Sequence, residues 1–258
     1  MVVPVPGEDS IMSEGLWFTR ARLNRNAPDV QPLLGELLPA DRDRAPNVAH
    51  RLLWTLMPRE LQVAEREQAR AAFLWREGEQ DGGFYILGPH PRLDSALLHV
   101  ETTAWRPALQ PGDRLAFDLR VNATIDRKVG AQGHGRRASL RSDLVLDAIR
   151  KAESETGASR AAIRRPTAVR ALDSWMKTQA DRNGFRVEGD CELMAYRTLS
   201  LTRRGRQPAP IGVADLRGVL VVQDPVVFAA KVARGFGRAK AFGCGLLLLR
   251  RASAGREG

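Results

Sequence analysis

Four histidines, His50, His90, His99 and His134, are the side chains of this 258-residue chain whose ordinary pKa allows proton exchange near neutral pH. His50 lies in a stretch, residues 48–57, that reads as a helix. At about 100° per residue, Val48, Ala49, Leu52, Leu53 and Leu56 form an apolar arc. His50 falls just beyond one margin of that arc, with Trp54 one turn later, so its ring can reach a groove while the helix stays anchored. Taken alone, such a position is more often a histidine at the edge of a core. His90 stands between Pro89 and Pro91 in an expected turn, and His99 near a strand start. His134 lies in a basic stretch, placed to touch a polyanion rather than to cut one.

A second chemical signal is the run GFGRAKAFGCGLLLL at 235–249. Gly235 stands where a preceding helix should stop. Gly237, Gly243 and Gly245 allow positive φ or close backbone approach to a ligand. Free N–H groups in such a loop can cradle phosphate oxygens, with Arg238 and Lys240 adding charge. Gly235, Gly237, Arg238, Lys240 and Gly243 are therefore candidate phosphate contacts. From the glycines alone, a helix stop followed by tight entry into a buried strand fits as well. No Gly-Lys-Ser/Thr follows, and the spacing is not that of a dinucleotide loop opening a helix. A third signal is the basic cluster Arg127, Lys128, Arg136, Arg137 and Arg141, suited to the phosphate backbone of a nucleic acid. A solvated, mobile loop is the plain alternative.

The elements that must position these residues read as an α+β chain. Strand-like stretches at 16–23, 71–75, 84–87 and 100–105 alternate with helical ones at 30–38, 48–57 and 93–98, with Asn47 as the expected N-cap of the second helix. That β-α-β-β-α-β order is ferredoxin-like, two helices over an antiparallel sheet. It recurs beyond a linker at 108–112: strands at 115–122, 185–202, 213–222 and 245–249, helices at 167–182 and 225–233. The expected architecture is two tandem ferredoxin-like (βαββαβ, RAMP/RRM-like) domains, 15–107 and 113–253, between a loose leader at 1–14 and a tail at 254–258. The second domain carries a basic insertion at 123–166 and the glycine-rich segment at 235–245.

Composition narrows the partners. A formal charge of +10 favours a polyanion, nucleic acid first. Lysine occurs only at 128, 151, 177, 231 and 240, so Arg, the better bidentate partner of phosphate, carries most of the charge. Cys191 and Cys244 stand far apart, which argues against a disulfide framework or cysteine zinc site and fits a reducing cytoplasm. No apolar run approaches the roughly 20 residues that span a bilayer, so no membrane is expected as a partner. Carboxylates are dispersed and no His/Cys pair has ligand spacing, so neither a metal nor another cofactor is expected.

The run at 235–249 strongly resembles the C-terminal glycine-rich motif of the CasE proteins, the crRNA-processing subunits of type I-E CRISPR systems in the RAMP superfamily. LWFTRARLN at 16–24, AHRLLWTLMP at 49–58 and PGDRLAFDLRVNAT at 111–124 agree with that family in content and order. The resemblance implies a metal-independent endoribonuclease that binds a CRISPR repeat hairpin and cleaves precursor crRNA by 2′-hydroxyl attack. The products would be 2′,3′-cyclic phosphate and 5′-hydroxyl ends, and the enzyme would stay on the crRNA beside other Cascade subunits. It implies His50 as the catalytic histidine, as base or acid. Relatives carry Tyr three residues before that histidine, where this chain has Asn47, which leaves the second catalytic group open. Asn47 and Lys240 are candidates for support. The alternative implied by that departure is a catalytically weak or inactive crRNA-binding structural subunit.

Overall fold

Alternation sets the first sheet. In β1 (Trp17–Leu23) Thr19, Ala21 and Leu23 are buried while Phe18, Arg20 and Arg22 face the other way. The computed structural model describes residues 15–252 apart from 38, 42, 59, 62–70, 79–82, 129–138, 158 and 204–205. It divides the chain into two units. One takes the chain up to Ala108 together with Lys240–Leu246, the other Leu109–Ala239 and the chain from Leu247 onward.

In the first unit β1 is followed by a 3-10 turn at Gln31–Leu33, the short α1 (Leu34–Leu37) and α2 (Ala45–Trp54). Strands β2 (Leu74–Glu77), β3 (Gly83–Gly88) and β4 (Leu98–Ala104) complete a wholly antiparallel sheet of order β2-β3-β1-β4. Ala49, Leu52 and Leu53 of α2 lie in one core with Ala21, Leu23, Phe84 and Ile86.

The second unit repeats that order with a larger connection. Its strands β5 (Arg114–Val121), β8 (Phe185–Arg203), β9 (Arg206–Val222) and β10 (Leu247–Arg251) lie as β10-β5-β9-β8, again antiparallel. Fourth, first, third, second is the ferredoxin-like order of the first sheet, so the expected α+β fold of two such domains is borne out. Between β5 and β8 run a hairpin, β6 (Thr124–Lys128) with β7 (Ser139–Asp143), then α3 (Leu144–Thr156) and α4 (Arg160–Arg182); α5 (Pro225–Arg234) leads from β9 toward β10.

Three expectations need correction. Residues 93–98 form no helix. The Ser95 hydroxyl accepts the N–H groups of Leu97 and Leu98, and the Leu97 carbonyl already takes the Asn24 N–H beside β1. Local side-chain bonds of this kind compete with a helical turn. Asn47 is not the N-cap of α2: Arg44 holds that place without a side-chain bond, and Pro46 sits in the first turn, where a missing N–H costs nothing. Pro166 does not close the insertion but lies inside α4, whose turns before Thr167 are exposed while Ala168, Leu172, Met176 and Ala180 form its buried stripe. Packing of that stripe outweighs the loss of one hydrogen bond.

One carboxylate ties the insertion to the second sheet. Asp143 caps α3 by accepting from the N–H groups of Val145 and Leu146, both at 3.0 Å. It also accepts from the Gly212 N–H at 3.0 Å and the Tyr196 hydroxyl at 3.1 Å. A Cβ on Gly212 would stand 2.3 Å from Asp143 Oδ2, so only glycine fits. Losing a cap costs about 1 kcal/mol and each further buried bond a similar amount. Asp143→Ala should lower unfolding stability by about 2–3 kcal/mol, and Asp143→Asn, which keeps the cap, by clearly less. Chemical denaturation followed by circular dichroism checks this.

Candidate active site

His50 extends from α2 on the side where that helix meets β2. Ala49, Leu52 and Leu53 are buried on either side of it in sequence and fix the helix, while His50 itself is half-buried. Three rings crowd the imidazole. Phe73 lies 5.5 Å away between centroids, Trp54 stands edge-on at 6.1 Å, and Trp75 lies near-parallel at 6.4 Å with 18° between planes. These neighbours offer a protonated ring little solvation, so burial pulls the His50 pKa down from its usual 6.5 to about 4. The ring is neutral at physiological pH, the form that accepts a proton.

Trp75 is buried, and its indole Nε1 has no hydrogen-bond partner. Its six-membered ring meets the glycine-rich segment: a Cβ on Gly243 would lie 3.3 Å from it, and Gly243 has φ +76°. The one-turn 3-10 helix before Gly243, Lys240–Phe242, packs on α2 and β2. Lys240 and Gly243 therefore share a unit with His50. Asn47 lies one turn before His50 on the same helix, half-buried, so the two positions fall on one face.

The other candidates belong to the second unit. The Gly235 N–H bonds back to the carbonyls of Lys231 and Val232 and closes α5. Gly237 has φ +63°, and a Cβ there would come within 2.7 Å of the Asn122 carbonyl. The Arg238 N–H donates to that same carbonyl at 3.1 Å, leaving an exposed side chain. Asn122 in turn donates from Nδ2 to the Gly212 carbonyl at 2.7 Å, beside the Asp143 bonds. The N–H groups of Gly235, Arg238 and Gly243 are thus used inside the protein, and these glycines serve the backbone path first.

The basic cluster is only partly within view. Arg127 and Lys128 lie on β6 and Arg141 on β7, with Arg127 opposite Leu140, Lys128 opposite Ser139 and Arg141 opposite Asp126. Arg136, Arg137 and His134 lie outside the described residues. His90 is exposed and meets Trp17 edge-on at 4.4 Å, and His99 is exposed on β4. Neither belongs to the His50 pocket. Among the described residues no three His, Cys, Asp or Glu side chains come together as a metal-binding group, and no helix is long and apolar enough to cross a membrane.

Sequence reasoning placed Trp54 one turn after His50 but did not connect Phe73 and Trp75 to it. Their signal was present as a phenylalanine and a tryptophan within about 25 residues of it, but strand and helix periodicity do not say which rings converge.

The sequence model of the family described as CRISPR associated protein matches residues 16–251. The chain belongs to that family. No curated protein matches it in sequence. Among solved structures this CRISPR-associated protein is similar to CRISPR endoribonuclease Cse3 bound to a 19 nt RNA, with 24% identity, 92% of this chain and 100% of that one covered, and TM-score 0.58. A pre-cleavage RNA complex of Cse3 from Thermus thermophilus gives 25%, 92% and 99%, and 0.56. Cas6e from Escherichia coli str. K-12 gives 21%, 92% and 100%, and 0.55. The resemblance to the CasE type carried by the sequence motifs is borne out.

The depressed pKa has a consequence for stability. Between pH 6.5 and about 4 the unfolded chain binds a proton at His50 that the folded protein does not. The contribution of the neutral ring is therefore complete above pH 6.5 and is lost as pH falls toward 4. His50→Gln removes this titration. On acidification across that window the stability of the variant relative to wild type should rise by roughly 2 kcal/mol, allowing for the part of the ring that stays in water. Urea midpoints of the two proteins at several pH values measure it.

Proposed function

We propose that this protein binds the hairpin of a CRISPR repeat transcript and cleaves the precursor crRNA at one phosphodiester without a metal ion. It then stays on the crRNA as a subunit of Cascade, in the cytoplasm. The observation that carries the reading is His50, a neutral imidazole in an aromatic pocket beside the turn that bears Lys240. Family membership and the likeness to RNA-bound Cse3 structures support RNA as the substrate.

In the proposed reaction, His50 acts as the base. It takes the proton of the 2′-hydroxyl, the 2′-oxygen bonds to the adjacent phosphorus, and the bond from phosphorus to the 5′-oxygen breaks. The products are a 2′,3′-cyclic phosphate and, once the departing oxygen is protonated, a 5′-hydroxyl. A neutral ring is ready for this step, and the approaching phosphate raises its affinity for the proton it receives. Lys240 supplies positive charge for the phosphorane-like transition state. Asn47, where relatives carry Tyr, offers a hydrogen bond to substrate and no proton chemistry. The basic residues Arg127, Lys128, Arg136, Arg137 and Arg141 with Arg238 hold the hairpin through its phosphates; Gly235, Gly237 and Gly243 shape the segment that presents Arg238 and Lys240.

Cleavage of the protein's own repeat RNA should survive EDTA and vanish with a single 2′-deoxy at the cut site. His50→Ala should abolish cutting while hairpin affinity changes by less than about tenfold. Tight binding without cutting by the wild type would instead leave a crRNA-binding structural subunit, and salt-insensitive or absent binding a protein scaffold. The pH profile gives a separate check. With subsaturating enzyme, kcat/KM reports the base of the free protein. Its acid limb should fall toward pH 4, where His50 titrates, rather than near 6.5. A limb at the ordinary histidine value would remove the aromatic pocket from the mechanism.

A further inference from the structure

The first sheet has two faces, and His50 concerns only one. Thr19, Ala21 and Leu23 point into the core under α2, so Phe18, Arg20 and Arg22 of β1 lie on the opposite face. Across the ladder, Tyr85 of β3 pairs with Arg20 and so shares that face. On β4, Thr103, Glu101 and His99 stand opposite Phe18, Arg20 and Arg22, and all three are exposed. Toward β2 the same face is closed: Leu74, Arg76 and Leu87 are buried. The half nearer β4 therefore meets solvent.

The middle of this face, bordering that open half, carries an unusual pair for a solvent-facing sheet. Phe18 and Tyr85, on the two central strands, stack with 20° between ring planes and 6.0 Å between centroids, and both are half-exposed. Two arginines lie beside them. Arg22 bonds Glu101 at 2.9 Å, yet its side chain keeps 41% of its exposure. Near-parallel rings beside guanidinium groups present π-faces and positive charge together. A base paired within a hairpin stem has its faces covered by its neighbours, whereas an unpaired nucleotide offers both a free face and a phosphate.

We propose that this outer face, around Phe18 and Tyr85, is a stacking platform for unpaired nucleotides of RNA. The bases rest on the two rings, and Arg20 and Arg22 accompany the phosphates. The inference rests on the proposed RNA substrate and adds a second contact on it, on the far side of the sheet from the His50 pocket. It gives the protein a hold on the single strand that adjoins a hairpin.

Fluorescence anisotropy with three RNAs tests it: the repeat hairpin, the hairpin with an unpaired extension of about ten nucleotides, and that extension alone. Stacking of one base is worth about 1–3 kcal/mol, so wild type should bind the extended hairpin at least about fivefold tighter than the bare one. Phe18→Leu and Tyr85→Leu, which keep apolar bulk, should lose that gain. Tyr85→Phe should retain it. Affinity for the bare hairpin and its cleavage should be unchanged in all three variants, which also reports that they fold. No gain in wild type, or a gain that survives both leucine variants, overturns the platform and leaves the nuclease reading intact. If the hairpin is not bound but the free strand is, and needs the rings, the nuclease reading fails and the platform stands. If neither RNA is bound, the platform falls as well.

Discussion

The site depends on keeping water from one imidazole. Phe73, Trp54 and Trp75 surround His50 closely enough that desolvation alone moves its pKa from 6.5 to about 4. A surface histidine at neutral pH is an incomplete base because part of it is already protonated. Here the free protein holds nearly all of it neutral. In the proposed reaction low intrinsic basicity would weaken proton abstraction, but the phosphate of the substrate would bring the negative charge that restores it. In that proposal the pocket keeps the base available before binding and leaves its strength to be set by the bound anion.

Such a pocket needs rigid walls from distant parts of the chain. The buried positions of α2 hold one wall, and β2 in the sheet holds Trp75. The back of Trp75 is supported by Gly243, nearly 170 residues further on, at a φ that side chains rarely adopt. The glycine-rich run therefore has two different physical tasks. Up to Ala239 it follows the second unit, with Gly237 flat against Asn122 and Arg238 bonded to it; from Lys240 to Leu246 it lines the first. The crossing is marked by Ala239 itself, a non-glycine residue at φ +56°. A side chain at Gly243 would press on a tryptophan rather than on a ligand, so glycine there need not signal direct phosphate contact.

Much of this was legible in the sequence because it rests on local rules. The strand at 16–23, the helix end expected at 182 and the helix start expected at 225 each depend on a few neighbouring residues, and the structure follows them. The same strand order in both units was also within reach, since element order limits the topologies available. What was not legible is long-range. The Leu97 carbonyl is withheld from an expected helix by the Asn24 N–H beside β1, and the stripe from Ala168 to Ala180 carries α4 across a proline. The assignment of Lys240 to the unit of His50, and the aromatic pocket itself, depend on which side chains meet after folding. No window of sequence contains that information.

The two faces of the first sheet divide the chemistry by what each can bury. The inner face is closed by α2 and can hold a group that must lose water, which is what a base with a depressed pKa requires. On the side nearer β4 the outer face is open, with His99, Glu101 and Thr103 exposed along that strand. Polar residues at every outward position would have been the economical choice for that strand surface. Phe18 and Tyr85 instead expose rings there, beside Arg20 and Arg22. Exposed aromatic area carries a standing hydration cost that a ligand with a π-face removes on binding. A sheet that conceals a histidine on one side and displays two rings on the other is suited to one polymer presenting a phosphodiester to the first and bases to the second.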